Sequence, residues 1–384
     1  MKKVCFCTTV SLTMKAFVVP TAKYLHEKCG WDVTLICSED KKFAKTLPSY
    51  IHYIPVKMAR GIDYSAPKTI KKLKKIFKEE KFDMVQYSTP NMSLCASIAA
   101  KRAKIPVRLY CQWGLRYVGF SGFTRIVFKC IEKFVCKLST DIRATSFKNM
   151  QFGIDEKLYK KEKVGLVGIG GTIGVDTSEY DIEKKKEFSE EIKNKLSIDK
   201  NDFVFGFSGR LSKDKGTFEL LFAYKNIAEK YDGIKLLIVG PGDTERKETK
   251  ELLRWAKASD KVIFTGLVET TDMKKYYSAM DILVHPTYRE GFGMVIQEAG
   301  ALAVPVITTR IPGASEVMEE NISCLLAEPK DCKSLEEKMV YILKNREKCK
   351  TLGQNAYIRT KKYFDRPIML CNQLEDYKKL TGET

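Results

Sequence analysis

The sequence encodes an α/β protein built from two doubly wound parallel-sheet domains, and three observations carry that expectation. Short apolar strands alternate with amphipathic helical stretches from end to end, the pattern of a sheet covered by helices on both faces. The rhythm starts twice, at "KKVCFCTTV" and again at "DFVFGFSGR". The length of 384 residues exceeds one ordinary core, while 44% hydrophobic and 30% charged residues suit a folded chain and argue against long disorder.

The first series runs from "KKVCFCTTV" through a helix around 16–28 to "DVTLICS", then "FDMVQYS", "VRLYCQ" and "DIRATS". Cys5 and Cys7 stand two apart on the first strand, so both face one side and pack as small apolar groups. The twelve cysteines are scattered, eight of them before residue 150, and none forms a CxxC pair. That usage suits reduced thiols and a cytosolic setting. "KTIKKLKKIFKEEK" sets Ile70, Leu73, Ile76 and Phe77 at helical spacing, a helix with one face in the core and its lysines in solvent.

Glycine and turn residues in "GTIGVDTSEYD" mark the junction, just before the charged helix "IEKKKEFSEEIKNKL". The second series follows as "DFVFGFSGR", "IKLLIVGPG", "KVIFTG", "DILVHPT", "VPVITTR" and "SCLLAE". The last helical stretch, about 345–380, has no strand after it and is expected to pack back in part on the first domain. The expected division is 1–178, 179–360 and a terminal helix 361–384, with the ligand site in the cleft between the two domains.

Of the formal charge of +19, nearly all sits in the first domain: residues 1–178 carry 32 Lys+Arg against 14 Asp+Glu, which is +18. Such a field attracts polyanions, so nucleic acid and anionic phospholipid both enter as partners. "WGLRYVGFSGFTRIVFKCIEKFVCK" sets Tyr117, Phe120 and Phe123 beside Arg116, Arg125 and Lys129, a combination suited to a headgroup boundary. The apolar stretch after Lys2 and Lys3 is too short for a signal peptide, and no run approaches the roughly 20 apolar residues that span a bilayer. Any membrane contact is therefore expected to be peripheral, on the inner face of the cell membrane.

The chemistry should lie beyond the carboxyl ends of the strands, where helix N-termini offer NH groups to a phosphate. "FSGRLSKDKG" supplies Gly209, Arg210 and Lys215 directly after a strand, two cations able to neutralise a diphosphate. "EGFGMVIQEAG" at 290–300 supplies glycines 291 and 293 ahead of a helix, so the backbone can approach a ligand closely. Its carboxylates would repel a phosphate, so Glu290 and Glu298 are expected to accept hydrogen bonds from hydroxyls while main-chain amides take the phosphates.

These residues resemble the retaining glycosyltransferases of family 4, whose GT-B fold has two facing Rossmann-like domains. The family's E-x7-E motif matches Glu290 and Glu298, its Arg and Lys match Arg210 and Lys215, and "VGPG", "FTG" and "GVD" fall in order. The resemblance covers most of the second domain and, more weakly, the first. It implies a nucleotide-diphosphate sugar as co-substrate, with uridine donors common in the family. It further implies that Arg210 and Lys215 hold the diphosphate, Glu298 the ribose and Glu290 the transferred sugar. Phe292, Gly293, Met294 and Val295 would offer NH groups after Gly291, and the base would sit near Gly266, Leu267 and Val268.

Where many relatives have "HG" after the fourth strand, this chain reads "YCQWGLRY" and aligns Trp113, so no histidine base is assigned there; His26 and His52 lie elsewhere. A retaining reaction tolerates that absence if the leaving diphosphate takes the acceptor proton. No DxD occurs, so neither a metal nor a separate cofactor is expected. His285 reads as a strand-end residue satisfied by local backbone or, from its place beside the cleft, as a donor-site residue, and Tyr288 and Arg289 share both readings. Thr8, Thr9, Ser11, Thr13 and Lys15 face a substrate or simply form a β-to-α turn.

The leading expectation is a cytosolic, peripheral membrane sugar transferase acting on a lipid-linked saccharide in surface-polysaccharide biosynthesis. The alternatives are a GT-B epimerase, a soluble sugar-phosphate-dependent synthase, and a nucleic-acid-binding protein using the basic half. The last lacks any RNA-binding motif and leaves the Glu290 constellation unexplained.

Overall fold

The computed structural model describes residues 1–58, 65–242 and 247–383, with only the backbone of 247 and 248. The chain forms two compact units, unit 1 comprising Met1–Ile173 with Pro367–Thr384 and unit 2 comprising Gly174–Arg366.

Unit 1 is built on seven strands: β1 (Lys3–Cys7), β2 (Asp32–Cys37), β3 (Ile51–Pro55), β4 (Met84–Tyr87), β5 (Val107–Gln112), β6 (Asp141–Ala144) and β7 (Val164–Gly165). Their order is β3-β2-β1-β4-β5-β6-β7 and every pairing is parallel. β1 sits central, Val4 registering with Val33 on one side and Met84 on the other. Alternation along β1 feeds two cores: Val4 and Phe6 join one cluster, Cys5 and Cys7 another on the opposite face. The two thiols touch at 3.6 Å, the expected same-side packing, and all twelve cysteines are free.

The final helix, Arg366–Thr381, closes unit 1. Leu374 and Tyr377 enter the cluster of Phe6, and Tyr377 donates from its hydroxyl to Gln86 Oε1 at 2.7 Å. Arg143 grips Asp376 with two nitrogens at 2.8 and 2.7 Å. Helix Ala66–Glu80 buries Thr69, Leu73 and Phe77 and turns most of its lysines outward, as its periodicity predicts.

One reading of the sequence is corrected here. Tyr117 does not reach a headgroup boundary: it is buried, its hydroxyl donating to Glu156. Arg116 lies over the rings of Phe120 and Phe128, Arg125 lies over the Tyr117 ring, and Lys129 pairs with Glu156 at 2.6 Å. Of the residues singled out there, Phe123 is the large side chain left in solvent.

Unit 2 is built on β8 (Phe203–Ser208), β9 (Ile234–Val239), β10 (Val262–Gly266), β11 (Ile282–His285), β12 (Val306–Thr309) and β13 (Cys324–Ala327), in the order β10-β9-β8-β11-β12-β13. All pairings are parallel, so all six carboxyl ends emerge on one edge. β8 and β9 are buried on both faces, which is why "FVFGFS" and "IKLLIV" read as nearly continuous apolar runs. The reversal of strand order between β8 and β11 marks the place where such sheets hold ligands.

Candidate active site

Sheet order decides which loops of unit 2 can meet. β8, β11 and β12 are neighbours, so the segments that follow them, 209–216, 286–293 and 310–313, leave the same edge side by side. The first two are bonded together: Tyr288 N and the Thr287 hydroxyl both donate to the Asp214 carbonyl, at 2.8 and 3.1 Å. Gly216, at φ +69°, ends the turn that carries Lys215, and a Cβ there would come within 2.0 Å of the Pro286 carbonyl oxygen. Gly313, at φ +85°, presses as closely on the second segment, a Cβ there meeting the carbonyl oxygens of Gly291 and Glu290 at 2.4 and 2.6 Å.

This convergence forces Glu290 between two nitrogen donors. Lys215 Nζ donates to Glu290 Oε2 at 2.7 Å, and His285 Nε2 lies 3.1 Å from the same oxygen. Because an ionised carboxylate only accepts, Nε2 carries the imidazole proton. Burial opposes ionisation of Glu290, but the His285 hydrogen bond and the Lys215 charge outweigh it and hold the carboxyl at about 2. Burial also pushes the His285 pKa down, so the ring is neutral and its Nδ1 is buried without a partner among the described residues. The expectation that local backbone satisfies His285 is therefore corrected: the ring's bond is to the Glu290 side chain.

Arg210 is exposed on the same segment, 4.0 Å from Asp214, whose other cation is Arg289 at 3.4 Å. Although burial works against it, Asp214 is kept below the usual carboxylate range by the Ser212 hydroxyl and these cations. The Tyr288 hydroxyl turns away from the cations and bonds the buried Glu219.

Glu298 lies on the eight-residue helix Met294–Ala301, which starts after Gly293 at φ +62°. Its Oε2 accepts from the Tyr277 hydroxyl at 2.8 Å, and that hydroxyl is also 3.1 Å from Ser208 at the end of β8. Burial raises the Glu298 pKa, opposed by the hydroxyls of Tyr277 and Tyr180 and the charge of Arg366. The two acids thus differ in kind, one pinned as an anion by cation and imidazole and the other held by phenols. Phe292 is buried edge-on against Phe364, so its contribution to a ligand would be main chain.

At the far side of β8, Gly209 N donates to Val239 O and Gly240 N to Gly266 O, both at 2.9 Å. These bonds tie the ends of β8, β9 and β10 into one rim, on which Gly266, exposed Leu267 and Val268 lie. In unit 1 the residues after β1 read as a plain turn: Thr8 bonds the Val10 carbonyl, Thr9 bonds Thr89, and Ser11 donates to Asp40. Trp113, just past β5, packs on Phe17 at 5.2 Å.

The family model for group 1 glycosyl transferases matches residues 188–359, and the glycosyl transferase 4-like model matches residues 3–146. The capsular polysaccharide biosynthesis glycosyltransferase CapM of Staphylococcus aureus is 31% identical, covering 90% of this chain and 89% of that protein. The chain belongs to the group 1 glycosyltransferases. A UDP-Gal:alpha-D-GlcNAc-diphosphoundecaprenol alpha-1,3-galactosyltransferase of Escherichia coli is 24% identical over 81% of this chain and 80% of its own length. The solved structure of Anabaena HepE with UDP and glucose superposes at a TM-score of 0.79, with 19% identity over 99% of this chain and all of that one, which shows the shared GT-B fold.

For this group 1 glycosyltransferase, the strand ends of unit 2 bring Lys215 and Glu290 into direct contact, with Arg210 on the same segment and Glu298 behind it. Sequence reasoning missed Asp214, Tyr277 and Gly313. The "SKDKG" and "IPGASE" turns held a signal for the first and last, whereas nothing near Tyr277 in the chain points to Glu298.

Proposed function

We propose that this glycosyltransferase moves a sugar from a nucleotide-diphosphate sugar, a UDP-sugar in the first instance, to a lipid-linked saccharide, with retention at the anomeric carbon. The observation that carries the donor reading is the Glu290 carboxylate, kept ionised against Lys215 and His285 at the carboxyl edge of the sheet. An anion that accepts strongly at a fixed point suits sugar hydroxyls, while Lys215, shared with it, and Arg210 on the same segment suit a diphosphate. Glu298 takes the ribose, the rim at Gly266, Leu267 and Val268 takes the base, and NH groups of Gly291, Phe292, Gly293, Met294 and Val295 face the phosphates. The uridine choice is supported by the names of the Escherichia coli relative and of the HepE complex.

In the reaction the bond from the anomeric carbon to the diphosphate oxygen breaks, and a bond from an acceptor hydroxyl oxygen forms on the same face. The hydroxyl proton passes to the departing diphosphate, which leaves as the nucleoside diphosphate. Arg210 and Lys215 stabilise the charge that develops on it. That stabilisation comes from side chains, without a metal.

The lipid-linked acceptor is supported by the relatives, whose names concern capsular polysaccharide and a diphosphoundecaprenol-linked sugar. The +18 of residues 1–178 supports work at the anionic inner face of a cell membrane. No helix among the described residues is long and apolar enough to cross a membrane.

A thermal-shift screen of nucleotide sugars tests the donor. A binder at ~100 times its dissociation constant adds roughly 2.7 kcal/mol of stability. Glu298→Ala should weaken the response, and an unchanged response would remove the ribose assignment. Transfer assayed with lipid-linked and free saccharides tests the acceptor, and equal rates with both would overturn it.

A further inference from the structure

Helix Gly122–Leu138 of unit 1 has one face in the core, where Val135 and Cys136 are buried, and an opposite face that the fold leaves open. On that face Phe123 is 79% exposed, Ile126 59%, Val127 38% and Phe134 44%, with exposed Cys130 at the intervening turn. Positions i, i+3, i+4, i+7 and i+11 make one continuous stripe. Apolar side chains scattered singly over a surface need no explanation, but five in register along one helix do.

Charge says what covers the stripe. Lys133 and Lys137 stand exposed beside the stripe, while Lys129 is paired with Glu156 and Arg125 lies over the Tyr117 ring; the helix itself carries a single acid, Glu132. That acid is turned inward, where Tyr110 and Gln112 donate to its Oε1 at 2.8 and 2.7 Å. The carboxyl end of the helix borders a groove of about 740 Å³ walled by Lys133, next to Phe134 of the stripe, and by Lys137, Lys157, Lys160 and Lys163, with Glu162 the one acid among its described lining residues. Leu158 and Tyr159 lie at its base. A second copy of this chain would bring the same cations against these, and a nucleic acid has no use for the stripe. An anionic lipid answers both features, with acyl chains for the stripe and phosphates for the lysines.

We infer that the open face of helix Gly122–Leu138 and the lysine groove at its end form one docking surface for an anionic phospholipid bilayer, the stripe entering the acyl boundary and the groove holding a lipid phosphate. Lys163 is already fixed by donating to the carbonyls of Cys136 and Lys137, at 2.9 and 3.2 Å, so it braces the groove wall while the exposed lysines meet the headgroup. The inference rests on the membrane reading of the acceptor and adds where the contact is made.

The test is co-sedimentation of the whole protein with phosphatidylcholine vesicles with and without phosphatidylglycerol. Three variants are compared with wild type: a stripe pair, Phe123→Ser with Phe134→Ser; a groove triple, Lys133→Glu, Lys157→Glu and Lys160→Glu; and a control triple on another helix of unit 1, Lys68→Glu, Lys71→Glu and Lys78→Glu. All altered side chains are exposed, and the melting curve and UDP affinity of each variant report that it is folded. Wild type and control should bind the phosphatidylglycerol vesicles, while the groove triple loses roughly a hundredfold in partitioning and the stripe pair at least tenfold. If wild type binds and the stripe or groove variant binds equally well, this surface is wrong although the membrane reading survives. If the control loses as much as the groove triple, diffuse charge rather than a site is responsible and the inference falls. If wild type binds neither vesicle, the inference and the membrane reading fall together.

Discussion

At the carboxyl edge of the unit 2 sheet, charges are matched at close range: Lys215 with Glu290 at 2.7 Å, and Asp214 with Arg289 at 3.4 Å. Residues 1–178, most of unit 1, instead carry 32 cations against 14 acids, and many of those lysines are exposed to solvent. The remaining residues are almost neutral, 35 against 34, so the contrast is one of arrangement more than amount. Short matched contacts inside a fold act over ångströms and resist salt, whereas a surplus on a surface acts at a Debye length and is screened. The first arrangement suits positioning a small polar ligand, and the second suits attraction to an extended anionic one.

The largest test of the contrast is Glu290→Gln, which removes the shared anion while keeping its shape. Sugar transfer should fall by a factor on the order of 100 to 1000, and raising the salt should not narrow the gap. Affinity for UDP, titrated calorimetrically, should hold or tighten because Lys215 is released; a parallel loss of UDP binding would show that Glu290 does not act on the sugar. Next in size is Arg143→Ala, directed at the matched pair that unit 1 does bury. Its partner Asp376 is only 13% exposed, so denaturant unfolding should show a loss of about 3 kcal/mol.

Lys215→Ala should weaken UDP binding by roughly ten- to a hundredfold, the worth of a charge-assisted hydrogen bond. The pH profile sharpens the same point. Glu290 is held at about 2 in the fold and titrates near 4.3 when unfolded, so the unfolded chain binds the extra proton between those values. Its contribution is full above about pH 4.5 and fades as the pH falls towards 2. The stability difference between wild type and Glu290→Gln should close over that window. His285, lowered from 6.5, also favours the fold when neutral, so its share begins to fade as pH falls below about 6.5, and His285→Gln should lack that limb. The smallest effect on stability belongs to Arg210→Ala, since an exposed cation 4.0 Å from its nearest acid contributes within about 1 kcal/mol, read from the melting midpoint.

Much of this was legible in the chain because doubly wound sheets announce themselves locally. Each buried strand of unit 2 is an apolar run with its loop chemistry directly behind it, so "FSGRLSKDKG" and "EGFGMVIQEAG" could be assigned to strand ends. The edge strands β3 and β7 gave weak signals, being half-buried or two residues long. What the chain hid were contacts set by strand order. His285 meets Glu290 only because segment 286–293 folds back over its own strand, and Tyr277 reaches Glu298 from a different helix. The segment around helix Gly122–Leu138 was flagged by its sequence, but which of its side chains stay exposed was not. Composition shows aromatic and apolar residues there but not which of them the fold covers, and here Tyr117, on the turn before the helix, went in while Ile126 and Phe134 stayed out.

The chain leaves unit 1 after Ile173 and re-enters it at Pro367, which makes unit 2 an insertion within unit 1. During synthesis the pocket for Tyr377 beside Gln86 stays unfilled until the returning helix has been made, by which time every strand of the inserted unit has already been translated. Unit 2 can therefore mature first, and unit 1 is completed only when its returning helix arrives. A stop codon at Pro367 would spare the inserted unit and leave its host unsealed.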